Sequence, residues 1–402
     1  MHLAIVGPYP PNITGISQYG YHISQSLAQS GQFTRITVMA DTPRVPQLID
    51  TPAPIQTEHV WQPDRLNIGW DIVRYLRHLK PDLVWFNLDV SAFGRSPLAN
   101  LSGFLSPIAA HRLGFPTVVT LHELVELADL RVLKAPGGLF APYGARLLTR
   151  IATQADVVCL TMRRYVDWLA IHQPSLQCMH IPIGAYHQPE LLPESDSPEL
   201  LLFGMLAPYK GLEILLAAFN FLQRQGYPNL RLTIAGTAHP RFPGYARQLQ
   251  QTVNGAKGIR WLGDVPEERI RELFLRAQVV VLPYTASVGS SSVLYQAATW
   301  GRTIVASDLP ETQSMVRESG LDVTFFQRGD ADSLSKAIAA QLDSPDQRRR
   351  QVEHNFAAIR HNRPEETCRA YLQAFNLALE SRRSPKRIVI PALKVQVPAE
   401  TV

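Results

Sequence analysis

The chain has 402 residues, 46% of them hydrophobic and 18% charged, with 39 Lys+Arg against 34 Asp+Glu. That is apolar material for two buried cores, and it excludes a disordered chain. The three cysteines (Cys159, Cys178, Cys368) are scattered, which excludes a disulfide framework or a cysteine zinc site and fits a reducing compartment. The opening residues, MHLAIVGPYPP, have neither a basic region nor a cleavage site. The longest mostly apolar stretch, Leu98 to Ala110, is 13 residues, against the roughly 18 that a spanning helix needs. The expectation is a soluble cytoplasmic protein. The net charge of +5 is concentrated: Arg348 to Val402 holds 11 Lys+Arg and 5 Asp+Glu. This basic end is read either as solvated or as a peripheral contact with the anionic inner face of a membrane. No basic stripe with aromatic support suggests nucleic acid as a partner.

In chain order, short β-branched runs alternate with amphipathic stretches, the pattern of parallel α/β sheets. The predicted strands of the first half are Leu3–Gly7, Ile36–Ala40, Leu83–Asn87, Thr117–Leu121 and Asp156–Leu160, with helices at Ile16–Gln29 and Asp71–Leu79 among them. Residues 187–200, HQPELLPESDSPEL, are rich in proline and acid and read as a linker. Beyond it come strands Leu200–Gly204, Leu230–Gly236, Ile259–Gly263, Val279–Pro283 and Thr303–Ser307. Helices are predicted at Leu212–Gln223, Glu267–Ala277, Ser292–Trp300, Asp332–Leu342 and Glu365–Arg382. The fold class is α/β: two doubly wound sheets whose strands end at a shared cleft, where such sheets bind ligands.

Walker A, H-E-x-x-H and G-x-S-x-G are absent. His122 and Glu126 stand at a metal-ligand spacing but without a third ligand, and Asp330-Ala-Asp332 reads as a helix N-cap before a diphosphate-bound cation. No metal or cofactor is expected. Three segments point to anion chemistry. Gly15 precedes a helix whose N-terminus offers free N–H groups. Gly204 ends a strand and leads through a short loop to Lys210-Gly211, where the lysine can meet a phosphate as a point charge. The loop Gly289-Ser290-Ser291-Ser292 lies beneath another helix N-terminus.

The order P-x-x-x-x-G, TLHE, F-G-x-L-x-x-x-K-G, LTIAG, WLGDV and LPY followed by QAATWGRTIVASD resembles the family-4 retaining glycosyltransferases of the GT-B fold, over residues 1 to about 380. The resemblance implies two Rossmann-like domains facing a central cleft: an acceptor domain over 1–188 and a nucleotide-sugar domain over 189–364. A last helix, 365–382, crosses back onto the first domain, and 383–402 is an extended tail. It implies that Gly15 matches the second glycine of a Gly-Gly loop, with Thr14 in place of the first, that His122 stands near the donor sugar, and that Lys210 meets the diphosphate. The family's arginine five residues before that lysine is Met205, and its Glu-x7-Glu pair falls on Val288 and Gln296. Gln296 can still bond ribose hydroxyls, whereas a valine cannot bond a sugar hydroxyl.

The leading expectation is a metal-independent hexosyltransferase acting, with retention, from a nucleotide-diphosphate-sugar onto a glycan, lipid-linked or small-molecule acceptor. Its catalytic groups are His122 and Lys210; donor contacts are Gly15, Gly204, Lys210, Gly289, Ser290, Ser291, Ser292 and Gln296. The alternatives are a catalytically weakened GT-B protein that binds a nucleotide-sugar or supports a partner transferase, and an epimerase on the same scaffold. Residues 91–112 and 131–150, apolar with basic ends, read either as core-facing helices or as interfacial membrane helices beside the acceptor.

Overall fold

The computed structural model describes residues 1–43, 51–127, 141–286 and 289–383. Part of the second apolar-basic segment (131–140), Ser287, Val288 and the tail from 384 lie outside the described residues. In the first domain, β1 (His2–Val6), β2 (Arg35–Asp41), β3 (Ile55–Trp61), β4 (Leu83–Leu88), β5 (Thr117–Leu121), β6 (Val157–Leu160) and β7 (Cys178–His180) form one parallel sheet in the order β3-β2-β1-β4-β5-β6-β7. Around it lie α1 (Gly15–Gln29), α2 (Ile68–Leu79), α3 (Pro97–Arg112), α4 (Ala141–Ala152) and α5 (Arg163–His172). In the second domain, β8 (Glu199–Phe203), β9 (Arg231–Ala235), β10 (Ile259–Gly263), β11 (Val279–Leu282), β12 (Thr303–Ser307) and β13 (Thr324–Phe326) follow the order β10-β9-β8-β11-β12-β13. Its helices are α6 (Leu212–Arg224), α7 (Tyr245–Val253), α8 (Ile270–Arg276), α9 (Ser292–Thr299), α10 (Pro310–Ser319), α11 (Ala331–Asp343) and α12 (Pro345–Ile359), and α13 (Pro364–Arg383) ends the described chain.

The central strands are buried on both faces, so they read as unbroken apolar runs such as LVWFNL in β4. The strands missing from the sequence reading lie at sheet edges. β3 exposes Gln56, Glu58 and His59 while burying Ile55 and Trp61, and β7 and β13 have three residues each, too few to show a period. The predicted helix Glu267–Ala277 divides into a 3-10 turn at Glu267–Arg269 and α8. In each sheet the strand order reverses once, between β1 and β4 and between β8 and β11, and the carboxyl ends of these strands border the cleft.

The last helix returns to the first domain. Tyr371, Ala374, Phe375 and Ala378 recur at helical spacing and are fully buried. The Tyr371 hydroxyl lies 2.7 Å from that of Tyr19 on α1 and 2.9 Å from Thr120 Oγ1, which also accepts from Trp85 Nε1 at 2.9 Å. Arg382 closes the far end, with Nε 3.0 Å from Asp156 Oδ1 and Nη2 donating to the His111 carbonyl at 2.7 Å. Arg348, Arg363, Arg369 and Arg382 all make ion pairs. Arg348 and Arg382 are thereby drawn into the fold, whereas Arg363 and Arg369 pair with carboxylates at the surface.

Because Tyr371 joins α1 to β5 through one hydroxyl, Tyr371→Phe should strand the Tyr19 hydroxyl in the core and cost about 1–3 kcal/mol. Urea unfolding of Tyr371→Phe, Tyr19→Phe and the double variant measures this, with the double costing less than the sum of the singles. Full additivity would mean that the two hydroxyls act independently.

Candidate active site

The two domains enclose a cleft of about 560 Å³. The first-domain wall begins at α1. Thr14 caps the helix, its Oγ1 accepting from Ser17 N at 3.1 Å while its own N–H donates to Ser17 Oγ at 2.7 Å. The N–H groups of Gly15 and Ile16 have no intrahelical acceptor at that end. Nothing lies within 4 Å of where a Gly15 side chain would begin, so the helix start opens into the cleft. Asn87, at the end of β4, donates from Nδ2 to Ile16 O at 2.8 Å, which turns its Oδ1 toward His122 Nε2 at 2.7 Å. An amide oxygen only accepts, so His122 carries its proton on Nε2 and presents Nδ1 as an acceptor. Burial pushes the His122 pKa down to about 3, so the ring is neutral.

The second-domain wall carries the cations. Lys210 ends a 3-10 turn at Pro208–Lys210, one residue before α6, and its Nζ lies 3.8 Å above the Tyr284 ring. Arg241, in the loop after β9, and His239 join it on the cleft surface. Burial, then the charges of Arg241 and Lys210, lower the His239 pKa to about 4, which leaves that ring neutral within a cationic patch. Gly204 lines the cleft beside Met205. Gln296, on the first turns of α9, is buried, and its Oε1 has no hydrogen bond.

The glycine–serine loop lines the cleft and also makes contacts within the protein. Gly289 has φ +85°, and a Cβ there would stand 2.5 Å from the His122 carbonyl oxygen. Its backbone also bonds the Tyr165 hydroxyl. Ser290 Oγ donates across the cleft to Thr161, 3.0 Å from Oγ1 and 3.2 Å from the carbonyl. The Ser291 N–H meets Met315 Sδ at 3.3 Å. Gly289, Ser290 and Ser291 therefore line the cleft with these groups committed to the protein, and Ser292, the first residue of α9, stands at the anion-favouring helix end. Val288 lies outside the described residues.

Two carboxyl groups that the sequence reading did not assign border the cleft. Burial, then the charge of Asp89, pushes Glu123 well above its ordinary value, and burial also raises Asp89; Arg241 opposes both shifts. Glu123 belongs to the TLHE run, which is the signal that could have found it. Arg241 lies in a loop without periodicity, and only its place after LTIAG could have drawn notice. The His122/Glu126 metal spacing is otherwise employed, since Glu126 accepts from Thr149 Oγ1 at 3.0 Å and His122 bonds Asn87. Asp330 caps α11, accepting from Asp332 N and Ser333 N, and Asp332 pairs with Lys336.

This arrangement can be set against known proteins. The sequence profile described as Glycosyl transferases group 1 matches residues 197–344, and that of the Glycosyl transferase 4-like domain matches 14–176. A phosphatidyl-myo-inositol mannosyltransferase of Propionibacterium freudenreichii is 27% identical over 139 residues, 34% of this chain and 33% of that protein, so the match spans about a third of the relative's length. Among solved structures, sucrose-phosphate synthase from Thermosynechococcus elongatus superposes with a TM-score of 0.72 at 17% identity, covering 95% of this chain and 100% of that one. Anabaena HepE, in complex with UDP and glucose, gives a TM-score of 0.68 at 16% identity, covering 94% and 99%. Two reversed parallel sheets closing on a cleft, together with profiles that match each half in turn, make the chain a member of the group 1 glycosyl transferases with the GT-B fold.

Proposed function

We propose that the protein is a retaining hexosyltransferase that takes its sugar from a nucleotide-diphosphate-sugar, with no cofactor and no metal in the chemistry. The observation that carries this reading is the facing of a cationic wall (Lys210, Arg241 and the α9 N-terminus) by a neutral His122 across one cleft. As the bond from the sugar to the diphosphate breaks, its electron pair stays on the leaving oxygen, and the cations and helix end stabilise that charge. The α1 start at Gly15 adds a second anion-favouring end. His122 Nδ1 accepts from a sugar hydroxyl and orients the ring, and Gln296 Oε1 accepts from the ribose. Asp89 and Glu123 face the acceptor side. That side also has exposed Tyr143 and Leu147 beside exposed Arg146 and Arg150 on α4, which suits a lipid-linked acceptor and a peripheral membrane contact. The mannosyltransferase relative is named for a phosphatidylinositol acceptor, and the Anabaena protein holds UDP and glucose, which supports this donor and acceptor chemistry.

Titration with UDP- and GDP-sugars, followed by transfer assays on glycan, small-molecule and lipid-linked acceptors, tests the assignment. Binding without hydrolysis or transfer across the panel would leave a nucleotide-sugar-binding protein instead. Interconversion of donor sugars without an acceptor would make it an epimerase.

Lys210→Ala should weaken donor binding or turnover about tenfold to a hundredfold with the fold intact, since a charge-assisted contact is worth about 1.5–3 kcal/mol. Unchanged kinetics would remove Lys210 from the site.

Activity should survive EDTA, with at most a modest stimulation by Mg²⁺. Complete loss restored by Mn²⁺ would place a metal on the diphosphate.

His122→Asn should lower kcat by roughly a hundredfold, the scale of a lost positioning contact. With its pKa depressed to about 3, His122 is neutral well below the ordinary 6.5, so kcat should show no limb from this ring near pH 6–7. A wild-type limb there that disappears in His122→Asn would contradict the neutral role.

A further inference from the structure

At the junction of the domains lies a cluster that the transfer chemistry leaves unused. His22 on α1, His187 on the segment between β7 and β8, and Glu267 in the turn before α8 come from three separate stretches of chain. His22 Nε2 lies 3.2 Å from Glu267 Oε1, His187 Nε2 lies 2.9 Å from the same oxygen, and all three atoms fall within 4.8 Å of one another. The three atoms are shut off from solvent and meet one another, the two rings closing on a single carboxylate oxygen without well-aligned hydrogen bonds. Buried polar atoms ordinarily find well-aligned partners, and here two imidazole nitrogens share one carboxylate oxygen with poor alignment, leaving room for a common partner. Both rings are fixed from behind: His22 stacks on Tyr186 with centroids 4.5 Å apart, and His187 packs on Trp300 at 5.2 Å.

A cation among the three atoms satisfies them together. Zinc bonds of about 2.0–2.2 Å in tetrahedral geometry put neighbouring ligand atoms about 3.3 Å apart, close to the two histidine–carboxylate separations. Two imidazoles and one carboxylate suit a first-row transition metal, whereas magnesium and calcium take oxygen ligands. We propose that His22, His187 and Glu267 form a three-ligand zinc site, its fourth position left to water, that ties α1 of the first domain to the second. Glu267 and Tyr186 both line the cleft, so the ion braces the cleft base. The site stands apart from the transfer chemistry, and stripping the ion leaves the diphosphate-binding groups in place.

The test uses the full chain, stripped with chelator and then titrated with zinc chloride against a chromophoric chelator, with cobalt(II) as the spectroscopic probe. One equivalent should bind, and cobalt should give the visible bands of a four-coordinate nitrogen–oxygen site. Removing even a hydrogen-bond partner of a metal-bound histidine costs roughly 10–100-fold, so His187→Ala and Glu267→Gln should each weaken zinc binding at least about a hundredfold. His78→Ala, on the exposed face of α2, should leave it unchanged. Circular dichroism and thermal melts establish that each variant is folded, and His187→Ala, on irregular chain, tests the site without touching a helix. A wild type that takes up no stoichiometric zinc at micromolar concentration would overturn the site. So would His187→Ala and Glu267→Gln proteins that bind zinc as tightly as the parent.

Discussion

The spacing of the two domains depends on one main-chain approach, that of Gly289 to the His122 carbonyl. At φ +85°, with only 2.5 Å between a would-be Cβ and that oxygen, the position accepts no side chain without moving one wall from the other. Once the loop is seated, Ser290 reaches Thr161, and Arg164–Glu311 and His180–Glu318 close alongside. These polar contacts are partly buried and contribute as a set, but they can form only at the separation that the glycine permits. The cleft is thus a property of neither domain alone.

On the first-domain side, a single amide carries the coupling. Asn87 donates to Ile16 O at the start of α1 and accepts from His122. A carboxylate of the same shape could not donate to that carbonyl, and an apolar side chain would leave both partners unpaired in a desolvated site. The amide therefore sets two things together: where the N-terminus of α1 points, and which nitrogen of His122 holds the proton. Burial then keeps the ring neutral, so it brings no charge to the cleft, and the cations stand on the opposite wall.

How much of this could be read from the sequence follows from where the information lies. Strands buried on both faces, such as β1, β4 and β11, announce themselves as apolar runs, and α1 shows its buried stripe of Ile16, Tyr19, Ile23 and Leu27. Edge strands β7 and β13 owe their existence to pairing with a neighbour, which no local pattern records. Within the cleft, Gly15 and Lys210 could be picked out because they stand beside helix starts, whereas His122 and Gln296 were picked out by the family resemblance; all four line the cleft. Ser290 and Ser291 line the cleft as well, and their added contacts to Thr161 and Met315 left no mark in the local pattern because those partners are distant in sequence. Asp89 and Arg241 come together only through the meeting of two domains, and each alone is an ordinary surface loop residue.

The chain's departures from its family's pattern also sort by physics. Met205 stands where a cation is expected, yet Arg241 delivers positive charge to the same patch from the next strand's loop, close enough that with Lys210 it helps lower His239 to about 4. Coulomb attraction falls only as the inverse of distance and has no preferred angle, so a diphosphate accepts a cation from a neighbouring loop nearly as well as from the strand end. A hydroxyl contact is different, since it weakens steeply with misalignment and its reader must occupy one place. Gln296, where the resemblance puts the second glutamate of the family pair, has an acceptor oxygen free of protein hydrogen bonds. Positive charge can thus be supplied from different points along a sequence, while a group that reads a hydroxyl has to stand in one place.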